Sequence, residues 1–357
     1  MLDETRRKVL DCCFMADKKL PQISKRQINR AGDVLRGNEG KLTSDVIAAL
    51  GIVGDWRTSH AYPLQCVYMK LRERAKRIEA KPKPLVYQRL KRFPSIIYKL
   101  QRNPNMALTT IQDIGGCRAV LSDIKSVRKL ASKMGAITKD YISNPKPDGY
   151  RSIHLVDQYV HMKDSHEEHS GRRIEIQLRT RLQHAWATAI ETVDSTLQQN
   201  IKGGGGDKAW RRFFALASCV IALHENAPEV PGCPKDRKVL FKELRTTAEK
   251  LDVFSKLDGL SSSIQYLSSL NNRAWQAYIL VLDMHEKKTE IIGFTKAQLE
   301  FVAEEYLERE KKHFGDPRFQ VVQVFVENLR ELKRAYPNYY LDTQAFGAFL
   351  INELYGK

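Results

Sequence analysis

The sequence has no run of about 18 consecutive apolar residues, so we expect no membrane-spanning helix. None of its six cysteines is paired in a Cys-x-x-Cys pattern, which argues against the common structural zinc motifs. The first residues, MLDETRRKVLDCCFM, carry charges within their apolar pattern and do not match the layout of a signal peptide. We therefore predict a protein of the reducing cytoplasm.

Acidic residues are in the minority, because 42 Asp and Glu stand against 59 Lys and Arg, giving a formal net charge of +17. Ten of the basic residues lie in Lys70–Arg92, a stretch with only two Glu. Such an excess is typical of proteins that bind polyanions, and RNA, DNA, acidic lipid and polyphosphate are all candidates at this point. With 357 residues and 42% hydrophobic composition, the chain is long enough for two or three domains.

The stretch Arg172–Glu191 changes from a strand pattern to a helix pattern. Its first half alternates apolar and polar residues, so that Glu175, Gln177 and Arg179 share one face of a predicted strand. A helix is predicted to begin at Thr180. A face of this kind can bind a metal ion through its carboxylate and a phosphate through its guanidinium, although an exposed edge strand has the same pattern.

A second candidate site lies in the segment from Arg89 to Lys99. Arg89 and Lys91 project together from an extended stretch, and Pro94 suits the first turn of a helix. Ser95 offers a hydroxyl in that turn, and Lys99 follows it by one helical turn on the same face. Two cations, a hydroxyl and a helix N-terminus together predict a binding site for a triphosphate.

The segment D-I-G-G-C-R contains Asp113, a glycine pair and Arg118 at the start of a predicted buried strand. The glycines allow a sharp turn or a close approach to a ligand. Asp113 is well placed to bind a divalent cation, and a capping or turn role is the alternative. The helix that follows is predicted over Ile124–Met134, with Gly135 ending it.

A loop that contains Pro and Gly residues leads to Tyr150, which stands at the start of another predicted strand. Its ring can stack on a base, while Lys146, Arg151 and His154 can reach phosphates. A buried aromatic residue and a hydrogen-bonded core histidine are the alternatives for Tyr150 and His154.

The remaining segments are mostly helical until about residue 262. Ser24 and Ser44 are predicted N-caps, and one amphipathic helix is predicted over Lys235–Leu257. Beyond that point the pattern changes to strand–strand–helix–strand–helix, with a capping box at Thr295 and Gln298. We predict a domain over residues 1–270, with a motif core at 85–195, and a small separate binding or regulatory domain over 271–357.

Four motifs occur in order: R-x-K-x-x-x-S-I-x-x-K from Arg89, D-I-G-G-C-R from Asp113, K-P-D-G-Y-R-S-I-H from Lys146 and E-I-Q-L-R-T from Glu175. Together they resemble the synthetase domain of the RelA/SpoT alarmone enzymes, especially the small single-function members. The resemblance implies an α/β (α+β) fold with a nucleotidyltransferase-like mixed sheet flanked by helices. It also implies a pyrophosphokinase that transfers the β,γ-pyrophosphate of ATP to a ribose 3′ hydroxyl with Mg²⁺.

The resemblance further implies a role for each matching position. Asp113 and Glu175 would bind Mg²⁺, and Glu175 would also help to activate the attacking hydroxyl. Tyr150 would stack on the acceptor base. Arg89 and Arg118 would lie beside the ATP adenine, and Lys91, Ser95 and Lys99 would bind the triphosphate. Lys146, Arg151 and His154 would lie near the acceptor phosphates. Gln177 and Arg179 would support the site.

The later part of the chain resembles the toxic small alarmone synthetases, notably the fused toxin–antitoxin type called CapRel. That resemblance implies tRNA as the acceptor at its 3′ CCA end, no membrane partner, and arrest of translation in defence against phages. The basic helix residues would then contact the tRNA, namely Lys70, Arg72, Arg74, Lys76 and Arg77.

In the same group a C-terminal unit, like a zinc finger without zinc, blocks the ATP site through a Y-x-x-Y motif, and a phage capsid protein releases it. Tyr336 and Tyr339 match that spacing, with packing at a helix end as the equal alternative. Deleting the residues beyond about 270, or replacing Tyr339 by alanine, would then arrest growth. A (p)ppGpp synthetase that uses GDP or GTP, and a non-catalytic module that binds RNA or a phage protein, are the other two hypotheses.

Overall fold

The computed structural model describes residues 23–160, 169–197, 206–262, 275–286, 288–325 and 343–356. Its helices are α1 (Lys25–Arg36), α2 (Ser44–Thr58), α3 (Ala61–Ile78), α4 (Phe93–Arg102), α5 (Ile124–Met134), α6 (Arg181–Leu197), α7 (Lys208–Glu225), α8 (Arg237–Leu251), α9 (Val253–Ser262), α10 (Val302–Lys312) and α11 (Gln344–Tyr355). Its strands are β1 (Leu85–Leu90), β2 (Gly115–Leu121), β3 (Ile137–Asp140), β4 (Ile153–Gln158), β5 (Arg173–Thr180), β6 (Trp275–Asp283), β7 (Lys288–Thr295) and β8 (Phe319–Phe325).

These strands form one sheet in the order β3-β4-β5-β2-β1-β8-β6-β7. The β2–β5 pair is parallel, and the other six neighbouring pairs are antiparallel. The sheet is therefore mixed, with helices packed against it, which confirms the predicted fold class.

One face of the β4-β5-β2 part of the sheet is apolar and is covered by α3 and α5. Ile174, Ile176 and Leu178 of β5 are fully buried there, together with Ile153 of β4. The alternation predicted for β5 is confirmed, and it turns the polar residues of the same strand to the opposite face.

A second core consists of helices. The apolar faces of α6, α7, α8 and α9 meet around Phe213, Phe214 and Leu216, and α11 adds Phe346 and Leu350 to them. Helix α11 thus packs with the helices that follow the motif core, although the sequence predicted it as part of a separate C-terminal domain.

The C-terminal strands extend the sheet of the motif core. Strand β8 pairs with β1, with Val324 opposite Arg89. On one face β6 packs against α1, α2 and α4 through Ala277 and Ile279, and on the other Tyr278 shares a cluster with Tyr87 of β1. With the contribution of α11 to the helical core, the predicted unit therefore shares three hydrophobic clusters with the rest of the chain, and the boundary at residue 270 stays a prediction.

Several local predictions can be compared with the backbone. Ser24 is the N-cap of α1, but α2 is capped by Thr43, whose hydroxyl accepts the Val46 N–H, so the prediction of Ser44 is wrong by one residue. The single helix predicted over Lys235–Leu257 is interrupted at Asp252, which has a left-handed φ of 50°. No helix of the described ranges is long and apolar enough to span a bilayer.

Candidate active site

The polar face of β5 is the centre of the candidate site. Gln177 lies between His154 of β4 and Arg118 of β2 in the strand register, and Glu175 lies opposite Gly116. Because Gly116 has no side chain, the strand next to Glu175 leaves space above the sheet. The site is therefore a cleft with polar walls on three adjacent strands.

A chain of hydrogen bonds joins the predicted residues of this face. The Glu175 carboxylate is 3.0 Å from His154 Nδ1, and His154 Nε2 is 2.7 Å from the Tyr150 hydroxyl. Arg179 Nη2 donates to that hydroxyl at 2.9 Å. The Gln177 amide donates to Glu175 at 2.7 Å and accepts from Arg179 at 3.0 Å. We call these five residues the Glu175 network.

The Glu175 network controls the charge of its members. Burial alone would raise the pKa of Glu175, but the hydrogen bond and charge of His154 lower it below its ordinary value. The reverse holds for His154, because Glu175 and Tyr150 raise its pKa against the effect of burial. Burial would also raise the pKa of Tyr150, whereas Arg179 and His154 lower it to about 7. Glu175 is therefore an ionised carboxylate at neutral pH.

Asp113 supplies the second carboxylate. It precedes β2, and its two oxygens accept from Lys91 Nζ at 2.7 Å and Lys99 Nζ at 2.8 Å. Burial would raise the pKa of Asp113, but the two lysines hold it well below its ordinary value. Asp113 is also close enough to Glu175 for its charge to oppose the ionisation of that residue. Two ionised carboxylates thus lie at neighbouring points of the cleft.

The donor set fits a hard cation such as Mg²⁺, which prefers oxygen ligands and keeps several waters. Within the described ranges, no group of three or more His, Cys, Asp or Glu side chains is placed to hold a metal ion. Asp113 and Glu175 would be the protein ligands of such a cation, and the remaining ligands would be water and substrate oxygens.

The predicted phosphate site lies beside Asp113. Helix α4 begins at Phe93 after the N-cap Arg92, with Pro94 and Ser95 in its first turn and Lys99 one turn later. Arg89 projects from β1 near Lys91, since its charge helps to lower the pKa of that lysine after the larger effect of burial. The structure therefore brings Lys91 and Lys99 of the first motif together on Asp113, with Ser95 in the first turn of the helix that carries Lys99.

Arg118 occupies the inner wall of the cleft. Its guanidinium donates to Gln177 Oε1 at 3.3 Å and to the Tyr87 hydroxyl at 3.2 Å, and lies 5.4 Å from the centre of the Tyr87 ring. Tyr87, itself 3.3 Å from His184 Nε2, was not singled out by the sequence. The alternation of Leu85–Leu90 gave the only signal, because it puts Tyr87 and Arg89 on one face of β1.

The structure separates the two cations of the Tyr150 loop. Lys146 is exposed, with its ammonium 5.1 Å from the centre of the Tyr150 ring. Arg151 is buried and turned into the protein, where it donates to Ser218 Oγ at 3.1 Å and the Pro228 carbonyl at 2.6 Å. Arg151 therefore holds the loop against α7 and is not brought to the Glu175 network.

The basic residues of α3 lie on the other side of the sheet from this cleft or at its border. Lys70 pairs with Asp157 at 2.8 Å, Arg74 donates to Met134 Sδ at 3.8 Å, and Arg77 is exposed. Arg72 and Lys76 are half-buried on the same helix. Tyr336 and Tyr339 lie outside the described residues.

The C-terminal segment reaches the N-terminal end of α4 through β8 and α10. Gln320 of β8 accepts from Arg92 at 2.6 Å, and Gln323 accepts from Arg57 at 2.8 Å. Glu310 of α10 accepts a hydrogen bond from the backbone N–H of Phe93. A carboxylate of the C-terminal segment therefore caps the helix that carries the first motif.

Comparison with known proteins relates this cleft to one family. Residues 88–194 match the model described as "Region found in RelA / SpoT proteins". This part of the chain is similar to that region. Every residue of the Glu175 network, both carboxylates and the first motif from Arg89 lie within the matched region. The match also confirms the expected enzyme class, a pyrophosphotransferase of the RelA/SpoT type.

Two relatives come from Bacillus subtilis. The GTP pyrophosphokinase YjbM is 29% identical over 178 residues, which are 47% of this chain and 82% of the relative. The GTP pyrophosphokinase YwaC is 35% identical over 126 residues, and the match spans 59% of its length. Among solved structures, small alarmone synthetase 2 of Bacillus subtilis aligns with a TM-score of 0.40 and 24% identity, over 48% of this chain and 95% of that chain.

Proposed function

We propose that this chain is a pyrophosphokinase that transfers the β,γ-diphosphate of ATP to the 3′ hydroxyl of the CCA end of tRNA and is held inactive by its own C-terminal segment. The observation that carries the transfer chemistry is the pair of ionised carboxylates, Asp113 and Glu175, beside the cations of α4 inside the region similar to RelA/SpoT proteins. Diphosphate transfer needs little covalent help from a protein, and this cleft offers what it does need, which is charge neutralisation and positioning.

Asp113 and Glu175 would hold Mg²⁺ once Lys91 and Lys99 exchange the Asp113 carboxylate for substrate phosphates. Mg²⁺ bound there would neutralise the charge of the diphosphate in the transition state. The ammonium groups of Lys91 and Lys99 would bind the same phosphates from the α4 side. The strong depression of the Asp113 pKa fits this role, because the carboxylate stays charged throughout.

The acceptor oxygen attacks the β-phosphorus of ATP, the bond from that phosphorus to the α,β-bridging oxygen breaks, and AMP leaves. The carboxylate of Glu175 takes the hydroxyl proton, and the hydrogen bond to His154 orients it for that step. The Tyr150 ring, held by its hydroxyl to His154 and Arg179, presents a face on which the acceptor base can stack.

Two observations favour a large RNA acceptor. The net charge is +17, and α3 carries a row of cations outside the cleft, at its border or on the other side of the sheet, where only a large acceptor could reach them. The second candidate is a (p)ppGpp synthetase that uses GDP or GTP in the same cleft. It is favoured by the relatives YjbM and YwaC, whose names describe GTP pyrophosphokinases.

The test is incubation of the full chain with ATP labelled in its β-phosphate, together with deacylated tRNA and GDP in competition. Label on the 3′ end of the RNA is the expected result, and label on the guanine nucleotide alone would replace the first proposal by the second. The E175Q variant should label neither acceptor. The matched control E286Q, at an exposed site in the β6–β7 turn, should retain full activity.

The same variants test the non-catalytic hypothesis. If expression of an active form arrests growth through chemistry, E175Q should abolish the arrest and E286Q should not. An arrest that persists in E175Q would instead indicate a module that acts by binding RNA or a phage protein.

The proposed inhibition is supported by the position of the C-terminal segment. Strand β8 lies beside β1, which carries Arg89, and the Glu310 carboxylate takes the N–H of Phe93 at the phosphate end of α4. An anion at a helix N-terminus competes directly with a phosphate for the same N–H groups. The Y-x-x-Y tyrosines would add to this block from the segment that follows β8.

The Y339A substitution in the full chain tests this part of the proposal. It should raise the rate of label transfer and arrest growth, whereas the control F301A, at an exposed aromatic residue of the same segment, should not. Co-expression of a phage capsid protein with the unmodified chain should cause the same arrest. Equal activity of the unmodified chain and Y339A would refute inhibition by the tyrosine motif and leave the transfer chemistry untouched.

A further inference from the structure

Two cysteines lie in contact at the edge of the helical core. Cys219 is buried in α7, and Cys233 is half-buried in the loop between α7 and α8. Cys233 packs against the cluster that contains Cys219, and the two thiols lie near enough to affect each other's ionisation. Nearness of this kind is required before a disulfide can form.

The backbone holds this arrangement independently of the thiols. The Val230 N–H donates to Cys219 Sγ at 3.4 Å, and the Val230 carbonyl accepts the N–H of Cys233 at 3.2 Å. Val230, the first residue of the turn 230–233, thus holds this turn against Cys219.

Two guanidinium groups flank the pair. Arg151 lies next to Cys219 through its bond to Ser218, and Arg212 donates to the Gly232 carbonyl at 2.8 Å, directly before Cys233. Both arginines interact electrostatically with both sulfur atoms. These guanidinium charges favour the thiolate form of a cysteine, whereas Glu243, which pairs with Arg212 at 2.6 Å, opposes it at Cys233.

We propose that Cys219 and Cys233 form a reversible disulfide and are a redox modification site that responds to an oxidant of the hydroperoxide class. The pKa of Cys219 is lowered, mainly by the hydrogen bond from Cys233, while the pKa of Cys117 is raised well above its ordinary value by burial. The pair is therefore the reactive thiol site of the helical core, and Cys117 is an inert comparison within the same chain.

One molecule of hydrogen peroxide is enough to oxidise the two thiols to a disulfide. The pKa of Cys219 is lowered and that of Cys233 is raised, so Cys219 carries the charge once the pair has lost one proton. The Cys219 thiolate attacks a peroxide oxygen, the O–O bond breaks, and a sulfenic acid forms. The Cys233 sulfur then attacks the sulfenic sulfur, the S–S bond forms, and water leaves. Two thiols and one hydrogen peroxide thus give one disulfide and two waters, and a dithiol reverses the reaction.

The disulfide would also act on the Tyr150 loop. The turn that carries Cys233 follows Pro228, whose carbonyl accepts from Arg151 at 2.6 Å. Arg151 is the residue after Tyr150, and Ser218, next to Cys219, donates to the Gly149 carbonyl. Fixing the turn to α7 therefore holds the loop from two sides.

The test uses the full chain with Cys12→Ser and Cys13→Ser, so that those adjacent thiols cannot interfere. The reduced protein is titrated with hydrogen peroxide, alkylated and cleaved with a glutamate-specific protease. That protease is required because no Lys or Arg lies between Arg212 and Lys235, whereas Glu225 and Glu229 separate the two cysteines. Further substitution by C233S, and in parallel by C219S, provides the matched controls.

We expect the peptides of Cys219 and Cys233 to be joined, with a mass two hydrogen atoms below their sum, and to separate on treatment with a dithiol. Both control variants should lose this product, and Cys117 should be alkylated only after unfolding. Overoxidation of Cys233 without a link to Cys219, a link from Cys233 to Cys66, or full alkylation of both cysteines after peroxide treatment would overturn the proposal. C233S changes only a half-buried loop residue, so it remains a valid control if C219S fails to fold.

Discussion

Replacing Glu310 by glutamine tests the contact between the C-terminal segment and α4. Glu310 is 5% exposed and faces the Phe93 N–H, the Tyr306 hydroxyl and the guanidinium groups of Arg57 and Arg92. Burial is the largest effect on it and raises its pKa from 4.5 to about 7. The neutral amide of glutamine keeps the size and the acceptor oxygen but cannot ionise.

The magnitude follows from linkage between protonation and folding. The unfolded chain releases the Glu310 proton near pH 4.5 and the folded chain only near pH 7, so the folded state binds more protons between these values. The free energy of unfolding therefore falls as the pH rises through this window. At about 1.4 kcal/mol per pKa unit, the loss reaches about 3 kcal/mol above pH 7. The E310Q variant should not show it.

The assay is urea unfolding of both proteins at about pH 5 and about pH 8, followed by tryptophan fluorescence. At the lower pH the two proteins should be similar, and at the higher pH E310Q should be more stable by up to about 3 kcal/mol. E304Q, at an exposed position on the same helix, is the matched control and should follow the unmodified protein. A stability difference that is the same at both pH values, or a less stable E310Q at the higher pH, would refute the reasoning.

Three further predictions concern the cleft and its supports. G149A should destabilise the protein by about 2–4 kcal/mol in thermal unfolding, because Gly149 has a φ of +92° and an added Cβ would lie 2.8 Å from that of Ser218. G135A, also at positive φ but in open space, should cost less than half as much, and equal losses would contradict the packing argument. R151Q should lower stability by about 2–4 kcal/mol along with activity, since the Ser218 hydroxyl oxygen and the Pro228 carbonyl lose their donor; a loss of activity alone, at unchanged stability, would instead indicate a ligand contact. R77A should weaken tRNA binding in a titration and reduce the salt slope by about one, and an unchanged slope would remove this residue from the RNA surface.

Local features of this fold could be predicted from the sequence because their causes are local. The alternation of β5 specifies which residues face the cleft, and α5 spans Ile124–Met134 as predicted, with Gly135 after it at a φ of 138°. The Thr295 and Gln298 pair does start a helix, although its first turn is a 3₁₀-helix over Lys296–Phe301. In each case the residues that determine the element lie within a few positions of one another.

The remaining features depend on contacts between distant segments. No pattern in Phe319–Phe325 indicates that it pairs with a strand more than 200 residues earlier. Two strands pair through backbone N–H and C=O groups, which every sequence has, so the side chains do not identify the partner strand. The inward turn of Arg151 has the same origin, because its acceptors come from α7 and the loop after it. Arg57 in an apolar helix was a usable signal, because a buried cation requires a partner such as Gln323.

The pairing of β1 with β8 has a practical consequence for any shortened form of the chain. A protein that ends near residue 270 would lose β8, and the backbone of β1 would become an open border that can recruit another polypeptide. The same truncation would uncover Tyr87 and Val120, which are buried against Val322 and Val324 in the full chain. Growth arrest by such a fragment could therefore result either from released enzyme activity or from aggregation of the fragment. Single substitutions in the full chain separate these two causes, because they leave β8 in place.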